Sequence, residues 1–551
     1  MRYCEIKARK ASCIAQLFQR MRVFGRAEEG GVLIFGILML ITMMIAGGMA
    51  VDFMRYERER AHLQYTLDRS ILAAAALSQP LDAEDVVQDY FSKSGLKSYE
   101  VEASPDQGLN FRKVDANANT TIRPFFLNMV GIDTLTAVTV ASAEERVQKV
   151  EISLVLDVSG SMSQTANDGQ QTKLKALQTA AKEFVRAVVT PENEDLVSVS
   201  IIPYNMQVNV GKDVMDLLSV TDGSEDANCI DFASDQFGEM FMKYDPTVYQ
   251  RTGRFDPFYT SIDHPNTSSD DNDRRMFMCP TEPYSEVLLM SQDIDALEAK
   301  IDALQAGGNT SIDIGVKWGN FFLDPSSRAV ISKLPASAGV PDAFKGRPNL
   351  HSDTDAIKIL IVMTDGKNTT QYTLDEDYAS GESNVWYDPA SAYLSIYDDY
   401  YSNSTQDWYF VTDIYDRNSY NDEWRNSPKN SSNAQRLSWP EVWEMMGTKY
   451  NAYYNQYRMR NWSSEYYDWR DKVTNRIGAT TKNARLQSAC NAAKNKRTVV
   501  FAIGFEVSDT SAQVMEDCAS SPSNFYRVEG IEIADAFNAI AQTIQRLKLT
   551  R

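Results

Sequence analysis

The chain has 551 residues and a formal net charge of −20, with 75 acidic against 55 basic side chains. This length is enough for two or three domains with a sizeable core. The acidic balance argues against nucleic acid as a partner, because no excess of Lys and Arg exists to neutralise phosphates. Its three histidines share no short ligand spacing and no Cys-x-x-Cys pair occurs, so the sequence lacks the usual zinc motifs.

Residues 30–51 form an uncharged apolar run, and as a helix they would span about 33 Å, enough to cross a hydrocarbon core of about 30 Å. Lys and Arg dominate the residues before the run, whereas the arginines directly after it are balanced by acidic residues. The positive-inside tendency therefore predicts a single-pass protein with residues 1–29 in the cytoplasm and the bulk exported. A cleaved signal peptide is the alternative, for which residues 46–50 offer a weak processing site.

The membrane helix is predicted to continue to about residue 77, since residues 56–77 contain no Pro or Gly and are rich in Arg, Glu, Leu and Ala. Both a pilin-like subunit and a plain helical stalk have this shape. Residues 78–149 combine a helical pattern at 83–92 with an alternating pattern at 134–140. They are therefore predicted to form a small α+β region.

From residue 150 onward, apolar strands alternate with amphipathic helices up to the C-terminal residue 551. This alternation predicts an α/β fold with an open, mainly parallel, doubly wound sheet between two helix layers. Two long segments interrupt the scheme, at about 211–280 and 368–475. The second is dominated by Tyr, Trp, Asp, Asn and Ser, and it is too rich in aromatic residues for simple disorder.

Three polar motifs lie where a strand ends or a helix begins: Asp157-Val-Ser159-Gly-Ser161, Gly-Gly-Asn-Thr310 and Thr-Asp365-Gly. Ligand sites in open α/β sheets lie beyond the carboxyl ends of the strands. Hydroxyl and carboxylate oxygens suit Mg²⁺, or another hard divalent cation such as Mn²⁺ or Ca²⁺. A lone Asp-x-Ser-x-Ser is often only a capped turn, but three motifs in this order favour a metal site. We expect Asp157, Ser159, Ser161, Thr310 and Asp365 to form it, with an open position that attracts a partner's carboxylate.

The segments VEISLVLDVSGSM, GGNTSIDIG and IVMTDGKN resemble the three loops of the metal-ion-dependent adhesion site in von Willebrand factor A domains, which have a Rossmann-like fold. The stretch from GGVLIFGILML to DRSILAAAAL resembles the membrane segment of TadG-type Flp (tight adherence) pilus-assembly proteins. The tail segments LQSACNAAKNKRTVVFAIGFEV and MEDCASSPSNFYRV are similar to the C-terminal part of those proteins. The resemblance implies a bacterial inner-membrane anchor, a periplasmic A domain over residues 150–551, and a role in assembling or anchoring adhesive pili. The long insertion at 368–475 departs from the family pattern.

Four cysteines follow the apolar run, and an oxidising compartment would favour disulfides between them. Three pairings are possible. We expect Cys490 with Cys518 and Cys229 with Cys279, with buried free thiols as the alternative. Closing the loop of about 28 residues between Cys490 and Cys518 would stabilise the fold by roughly 3–4 kcal/mol. The aromatic insertion is either a lid that docks a partner or a small subdomain that buries its own side chains.

The leading functional hypothesis is a metal-dependent protein-binding module that acts with pilus or secretion-apparatus components. A surface-exposed adhesin that uses the same metal, without a role in pilus assembly, is the alternative. An enzyme such as a metal-dependent phosphatase would need a second Asp or a positioned base near the ion. Ser159 stands where that second Asp would be, so we expect no catalytic activity.

Overall fold

The computed structural model describes residues 30–76, 79–96, 99–107, 111–146, 148–243, 249–263, 275–398, 406–411, 423–460 and 462–549. The chain divides into two compact units, Met1–Arg146 and Val147–Arg551. The predicted cytoplasmic segment 1–29 lies outside the described residues, as do parts of both predicted insertions. Each unit has its own hydrophobic core.

The N-terminal unit consists of two helices, α1 (Gly30–Ala74) and α2 (Ala83–Lys93), and a three-stranded antiparallel sheet. The strands are β1 (Glu100–Gln107), β2 (Phe111–Ile122) and β3 (Leu135–Arg146). Helix α1 continues past the apolar run as predicted and ends at Ala74, and residue 77 lies outside the described part. The half of α1 beyond the apolar run packs with α2 and the sheet around Leu63, Leu67, Val87 and Phe91.

A six-stranded sheet forms the centre of the second unit. Its strands are β4 (Lys149–Asp157), β5 (Val197–Tyr204), β6 (Leu288–Ser291), β7 (Ala356–Thr364), β8 (Val499–Phe505) and β9 (Phe525–Val528). They lie in the order β9-β8-β7-β4-β5-β6, and all neighbours are parallel except β5 and β6. This arrangement confirms the predicted open, mainly parallel sheet.

Two helix layers cover this sheet because its strands are apolar on both faces. Helices α3 (Lys173–Val188), α4 (Ile294–Ala303) and α8 (Glu532–Leu549) contribute to the core on one face. Helices α5 (Ile312–Phe321), α6 (Ala479–Asn495) and α7 (Asp509–Cys518) contribute to the core on the other. Helix α3 begins where Thr172 accepts a hydrogen bond from Lys175 N, which satisfies one of its free N-terminal donors. The doubly wound architecture is therefore also confirmed.

The insertion at 368–475 contains a five-stranded antiparallel sheet and several helices. Its strands are Glu382–Asp388, Tyr393–Tyr397, Trp408–Val411, Glu423–Arg425 and Gln435–Ser438, and its longer helices are Trp439–Met445 and Ser463–Val473. A further antiparallel pair, Gln371–Leu374 with Thr474–Ile477, closes the base of the insertion. Its core also includes residues of the first insertion, such as Phe255 and Met278. Many of the aromatic side chains thus pack against one another, whereas docking of a partner stays a prediction.

Both expected disulfides are present. Cys229 and Cys279 form a bond within the first insertion, and Cys490 on α6 joins Cys518 on α7. All four cysteine residues are fully buried. The second bond therefore ties together two helices that cover the same face of the six-stranded sheet.

Candidate metal centre

The order of the strands determines where a ligand site can form. The chain runs from β4 outward to β5 and then returns to place β7 on the other side of β4. A reversal of this kind leaves a crevice at the carboxyl ends of the two central strands. Strand β4 ends at Asp157 and strand β7 ends at Thr364, and Leu156 and Met363 are paired neighbours. Two of the three predicted motifs therefore begin side by side.

The first loop turns sharply after Asp157. One carboxylate oxygen, Oδ1, accepts a hydrogen bond of 2.8 Å from the backbone N–H of Ser159. This turn brings the hydroxyls of Ser159 and Ser161 to 3.2 Å from each other. Gly160 lies between them in a close approach of two loops, where an added Cβ would lie 3.2 Å from the carbonyl oxygen of Gly308.

The third loop is hydrogen-bonded directly to the first. Ser161 donates from Oγ to Asp365 Oδ1 over 2.6 Å. Thr364 donates from Oγ1 to Asp157 Oδ2 over 2.7 Å. Four of the five predicted site residues, Asp157, Ser159, Ser161 and Asp365, consequently belong to one network.

The second loop joins this network through its backbone. Gly307 N donates to the carbonyl of Val158 over 2.9 Å, and Gly308 O accepts from Gly160 N over 2.8 Å. Gly308 adopts a φ of +78°, which favours glycine at this position. Thr310 follows this turn, and its N–H donates to Thr369 Oγ1 over 2.9 Å. The structure thus brings all three loops together and holds Thr310 by its main chain.

The site contains two buried carboxylates that repel each other, those of Asp157 and Asp365. Burial, followed by the negative charge of Asp365, raises the pKa of Asp157 to about 6. Lys173, at the start of α3, places its ammonium 3.1 Å from Asp365 Oδ2 and 3.5 Å from Glu506 Oε2. Two buried carboxylates that repel each other are stabilised by positive charge placed beside them.

Sequence reasoning missed Lys173 and Glu506. Glu506 follows the end of β8 directly, and Asp157 is the last residue of β4, so both lie at the carboxyl end of a parallel strand. It adopts a φ of +55° and accepts hydrogen bonds from Asn167 N and Gly530 N. Its place after a parallel strand is the signal that could have identified it. No comparable pattern marked Lys173, because a lysine at the start of an amphipathic helix is indistinguishable in sequence from an ordinary surface charge.

The donor set fits a hard divalent cation. In an octahedral Mg²⁺ site with bonds of 2.0–2.1 Å, adjacent ligand atoms lie about 3 Å apart. The two serine hydroxyls are separated by 3.2 Å, close to that value. Among the described residues, no group of three or more His, Cys, Asp or Glu side chains is arranged to hold a metal. A metal here would therefore depend on the hydroxyls, and the half-buried Gly160, Ser161 and Asn309 leave this edge accessible to a partner.

Comparison with known proteins gives one sequence match, to the family described as putative Flp pilus-assembly TadE/G-like, over residues 30–77. No curated protein sequence matches the chain. Three crystal or solved structures of pilus proteins align with it at 12–14% identity: the vWF domain of the type V pili tip protein Mfa5 from Porphyromonas gingivalis, the open conformation of the pilus adhesin SpaC from Lactobacillus rhamnosus GG, and the PilB minor pilin from Streptococcus sanguinis.

The Mfa5 alignment has 14% identity and a TM-score of 0.31, and it covers 74% of this chain and 97% of the other. The SpaC alignment has 13% identity and a TM-score of 0.30, and it covers 82% of this chain and 34% of SpaC. The PilB alignment has 12% identity and a TM-score of 0.28, and it covers 82% of this chain and 79% of PilB. At these scores the fold assignment depends on the strand order described above. The predicted family resemblance is confirmed for the N-terminal segment, since residues 30–77 are similar to the family described as putative Flp pilus-assembly TadE/G-like.

Proposed function

We propose that this chain is a membrane-anchored, metal-dependent protein-binding module that acts in the assembly or anchoring of Flp-type pili, and thereby in adhesion. The observation that carries the proposal is the joining of three oxygen-bearing loops at the carboxyl edge of the six-stranded sheet. The TadE/G-like match over residues 30–77 supports the connection to pili. Helix α1 supports the anchor, since its apolar N-terminal half is largely exposed and long enough to cross a bilayer.

Each residue of the site has a distinct role in this proposal. Ser159, Ser161 and Thr310 would offer neutral oxygens to Mg²⁺, or to Mn²⁺ or Ca²⁺, whereas Asp157 and Asp365 would supply negative charge. A bound ion supplies an electrophilic position that takes a carboxylate from a pilus or secretion-apparatus component. Thr364 and Lys173 hold the two aspartates in place through the contacts described above. The role is binding, and no step of catalysis is assigned to these residues.

The proposed location is the bacterial inner membrane, with a single span, the N-terminus in the cytoplasm and the bulk in the periplasm. The excess of Lys and Arg before the apolar run supports this direction. Fractionation combined with protease treatment of intact cells tests it. Protection of the bulk until the outer membrane is permeabilised is expected, whereas cleavage on intact cells would favour a surface-exposed adhesin.

Calorimetric titration of the purified full-length protein with MgCl₂ and MnCl₂ tests the metal dependence. Wild type is expected to bind one ion, and Ser159→Ala is expected to lose most of the affinity because one hydroxyl ligand is removed. The matched control is Ser163→Ala, since Ser163 is an exposed serine of the same loop whose hydroxyl donates to Gly160 O. Equal affinity in all three proteins would contradict the proposal. Capture of partners from membranes with and without chelator then tests whether binding depends on the ion.

A further inference from the structure

The loop between β2 and β3 in the N-terminal unit is apolar and exposed. It covers residues 123–134 and includes a short 3₁₀ turn, Leu127–Val130. Four of its apolar side chains are largely exposed: Phe125 (68%), Met129 (75%), Val130 (50%) and Ile132 (42%). Exposed apolar groups concentrated in one loop mark an interaction surface rather than ordinary surface composition.

Asp52 fixes this loop to helix α1. Its carboxylate accepts hydrogen bonds from three consecutive backbone N–H groups: Phe125 at 2.9 Å, Phe126 at 2.6 Å and Leu127 at 2.8 Å. The Asp52 side chain is buried, so these backbone N–H groups, and not water, are the donors to its carboxylate. Hydrogen bonds to an ionised acceptor are stronger than those between neutral groups, and three of them hold the loop firmly.

The β2–β3 loop contacts α1 within the apolar run as well as after it. The ring of Phe126 packs directly on Gly48, where an added Cβ would approach the ring carbons to 2.3 Å. Gly48 lies inside the apolar segment 30–51, one turn or about 6 Å along the helix before Asp52. The neighbouring helix residues Phe53 and Met54 are also exposed and apolar. The loop and the end of the span therefore both expose apolar side chains at the same level along α1.

The remainder of the sheet extends away from the span. Arg112, near the other end of β2, donates to the carbonyl oxygens of Gln79 and Leu81, which follow the far end of α1. Tyr99 donates to Glu59, two turns beyond Asp52. Strand β2 consequently runs alongside the helix, with the β2–β3 loop at the membrane end. The guanidinium of Arg55, about one helical turn past the end of the apolar run, lies 4.1 Å from the centroid of the Phe125 ring.

We propose that the β2–β3 loop, held by Asp52, is a second membrane contact that inserts its apolar side chains into the interface of the bilayer crossed by α1. This inference depends on the proposed anchor. A lipid surface is the occupant because the loop packs against the apolar span at Gly48 and is bordered by the long cationic side chains of Arg55 and Arg123, which can keep their charge in water beside an apolar surface. Such a contact would fix the rotation and tilt of the N-terminal unit on the membrane.

Lipid quenching of a site-directed fluorophore tests the proposal. The full-length protein, with Cys4 and Cys13 replaced by Ser, is placed in nanodiscs of phosphatidylethanolamine and phosphatidylglycerol that contain a doxyl-labelled lipid. An environment-sensitive probe is attached at Met129→Cys, at Ile41→Cys inside the span, or at Val140→Cys. Val140 is a matched control, because it is apolar and 70% exposed but lies along β3, away from the loop.

Loss of fluorescence is expected at Met129 and Ile41 and not at Val140. Quenching at Ile41 without quenching at Met129 would overturn the loop contact and leave the anchor intact, whatever protein surface then covers the loop. Absence of quenching at both positions, together with release of the chain by alkaline carbonate, would show that the anchor itself is wrong.

The role of Asp52 is tested in the same system. Asp52→Ala removes the acceptor for three backbone N–H groups and should reduce quenching at Met129, while quenching at Ile41 remains. The control is Asp68→Ala, at an exposed aspartate of the same helix whose carboxylate accepts from Gln64. Full quenching at Met129 in the Asp52→Ala protein would contradict the proposal that Asp52 holds the loop in the bilayer.

Discussion

The six-stranded sheet and the aromatic insertion at 368–475 belong to the same unit but are stabilised in different ways. The parallel strands of the sheet are buried between helices. The hydrophobic clusters on the two faces of the sheet consist mainly of aliphatic side chains. The insertion instead uses antiparallel strands and contacts between aromatic rings, such as the stacked pair of Trp439 and Trp443 at 5.1 Å. Parallel pairing requires long crossover helices, whereas antiparallel hairpins need only short turns. The sheet therefore forms the scaffold of the site, and the insertion forms a second core next to it.

The largest expected effect is the loss of stability of one core while the other stays folded. Trp443 is almost fully buried and donates from its indole N–H to Tyr378 O. Trp443→Ala should cost about 3–5 kcal/mol of stability, through lost packing and an unpaired acceptor. Hydrogen exchange is expected to accelerate across the insertion while amides of β4 and β7 stay protected. Phe184→Ala, in the core of the sheet beside Phe537, should give the opposite pattern. Loss of protection in both regions for both variants would show that the unit unfolds as one.

The disulfides are expected to have slightly smaller effects. Their sequence separations of 28 and 50 residues correspond to about 3–4 kcal/mol each in the chain-entropy description. Replacing Cys490 and Cys518 together with Ala should destabilise the sheet, since that bond joins α6 and α7. Replacing Cys229 and Cys279 should act mainly on the first insertion. Thermal unfolding followed by mass-spectrometric hydrogen exchange distinguishes the two outcomes.

Metal binding should stabilise the sheet more than the insertion. An ion at 100 times its dissociation constant adds about 2.7 kcal/mol to the free energy of unfolding if only the folded state binds it. The gain should appear in urea denaturation of the wild type with added MgCl₂ and should disappear in Asp157→Asn. An equal gain in both proteins would indicate that Mg²⁺ acts elsewhere.

The smallest expected effect is a pH dependence of stability that arises where helix α5 contacts the first insertion. Lys317 on α5 donates from Nζ to the carbonyls of Glu239 and Phe241, and burial lowers its pKa to about 8. Between that pKa and the ordinary value near 10.4, the unfolded chain holds a proton that the folded chain has released, so stability rises by about 1.4 kcal/mol per pH unit. This contribution is lost progressively as the pH falls from the ordinary value toward about 8, and it is absent below that pKa.

Lys317→Met should reduce this rise, but not abolish it, when the free energy of unfolding is compared at pH 7.5 and pH 9.5, because burial also lowers the pKa of Lys300 and Lys482 to about 8. Lys333→Met, at an exposed lysine, is the matched control and should leave the slope unchanged. Identical slopes in all three proteins would contradict a lowered pKa for Lys317.

Much of the sheet could be predicted from the sequence because its strands and helices produce long periodic patterns. Residues 356–363 predicted a buried strand, and β7 occupies Ala356–Thr364. Among the site residues, Asp157 and Asp365 were identifiable because they lie at the carboxyl ends of strands, Asp157 as the last residue of β4 and Asp365 directly after β7. Lys173 and Glu506 were not identified, since their roles depend on which helix and which strand end lie next to Asp365.

The insertion and the β2–β3 loop could not be predicted to the same degree. The strands of the insertion are short, and their aromatic residues face both a core and the surface, so no single period marks them. The contact of Asp52 with Phe125 joins residues 73 positions apart. Nothing local in either segment indicates the other. Long-range hydrogen bonds of this kind become visible only in the folded structure.

Anomalous diffraction from crystals grown with MnCl₂ tests the central claim most directly. The account predicts one manganese peak at the carboxyl edge of the sheet, within bonding distance of the hydroxyl oxygens of Ser159 and Ser161 and close to Asp157 and Asp365. Ordered loops with no peak at this edge, or a peak at a site that excludes both serines, would contradict it.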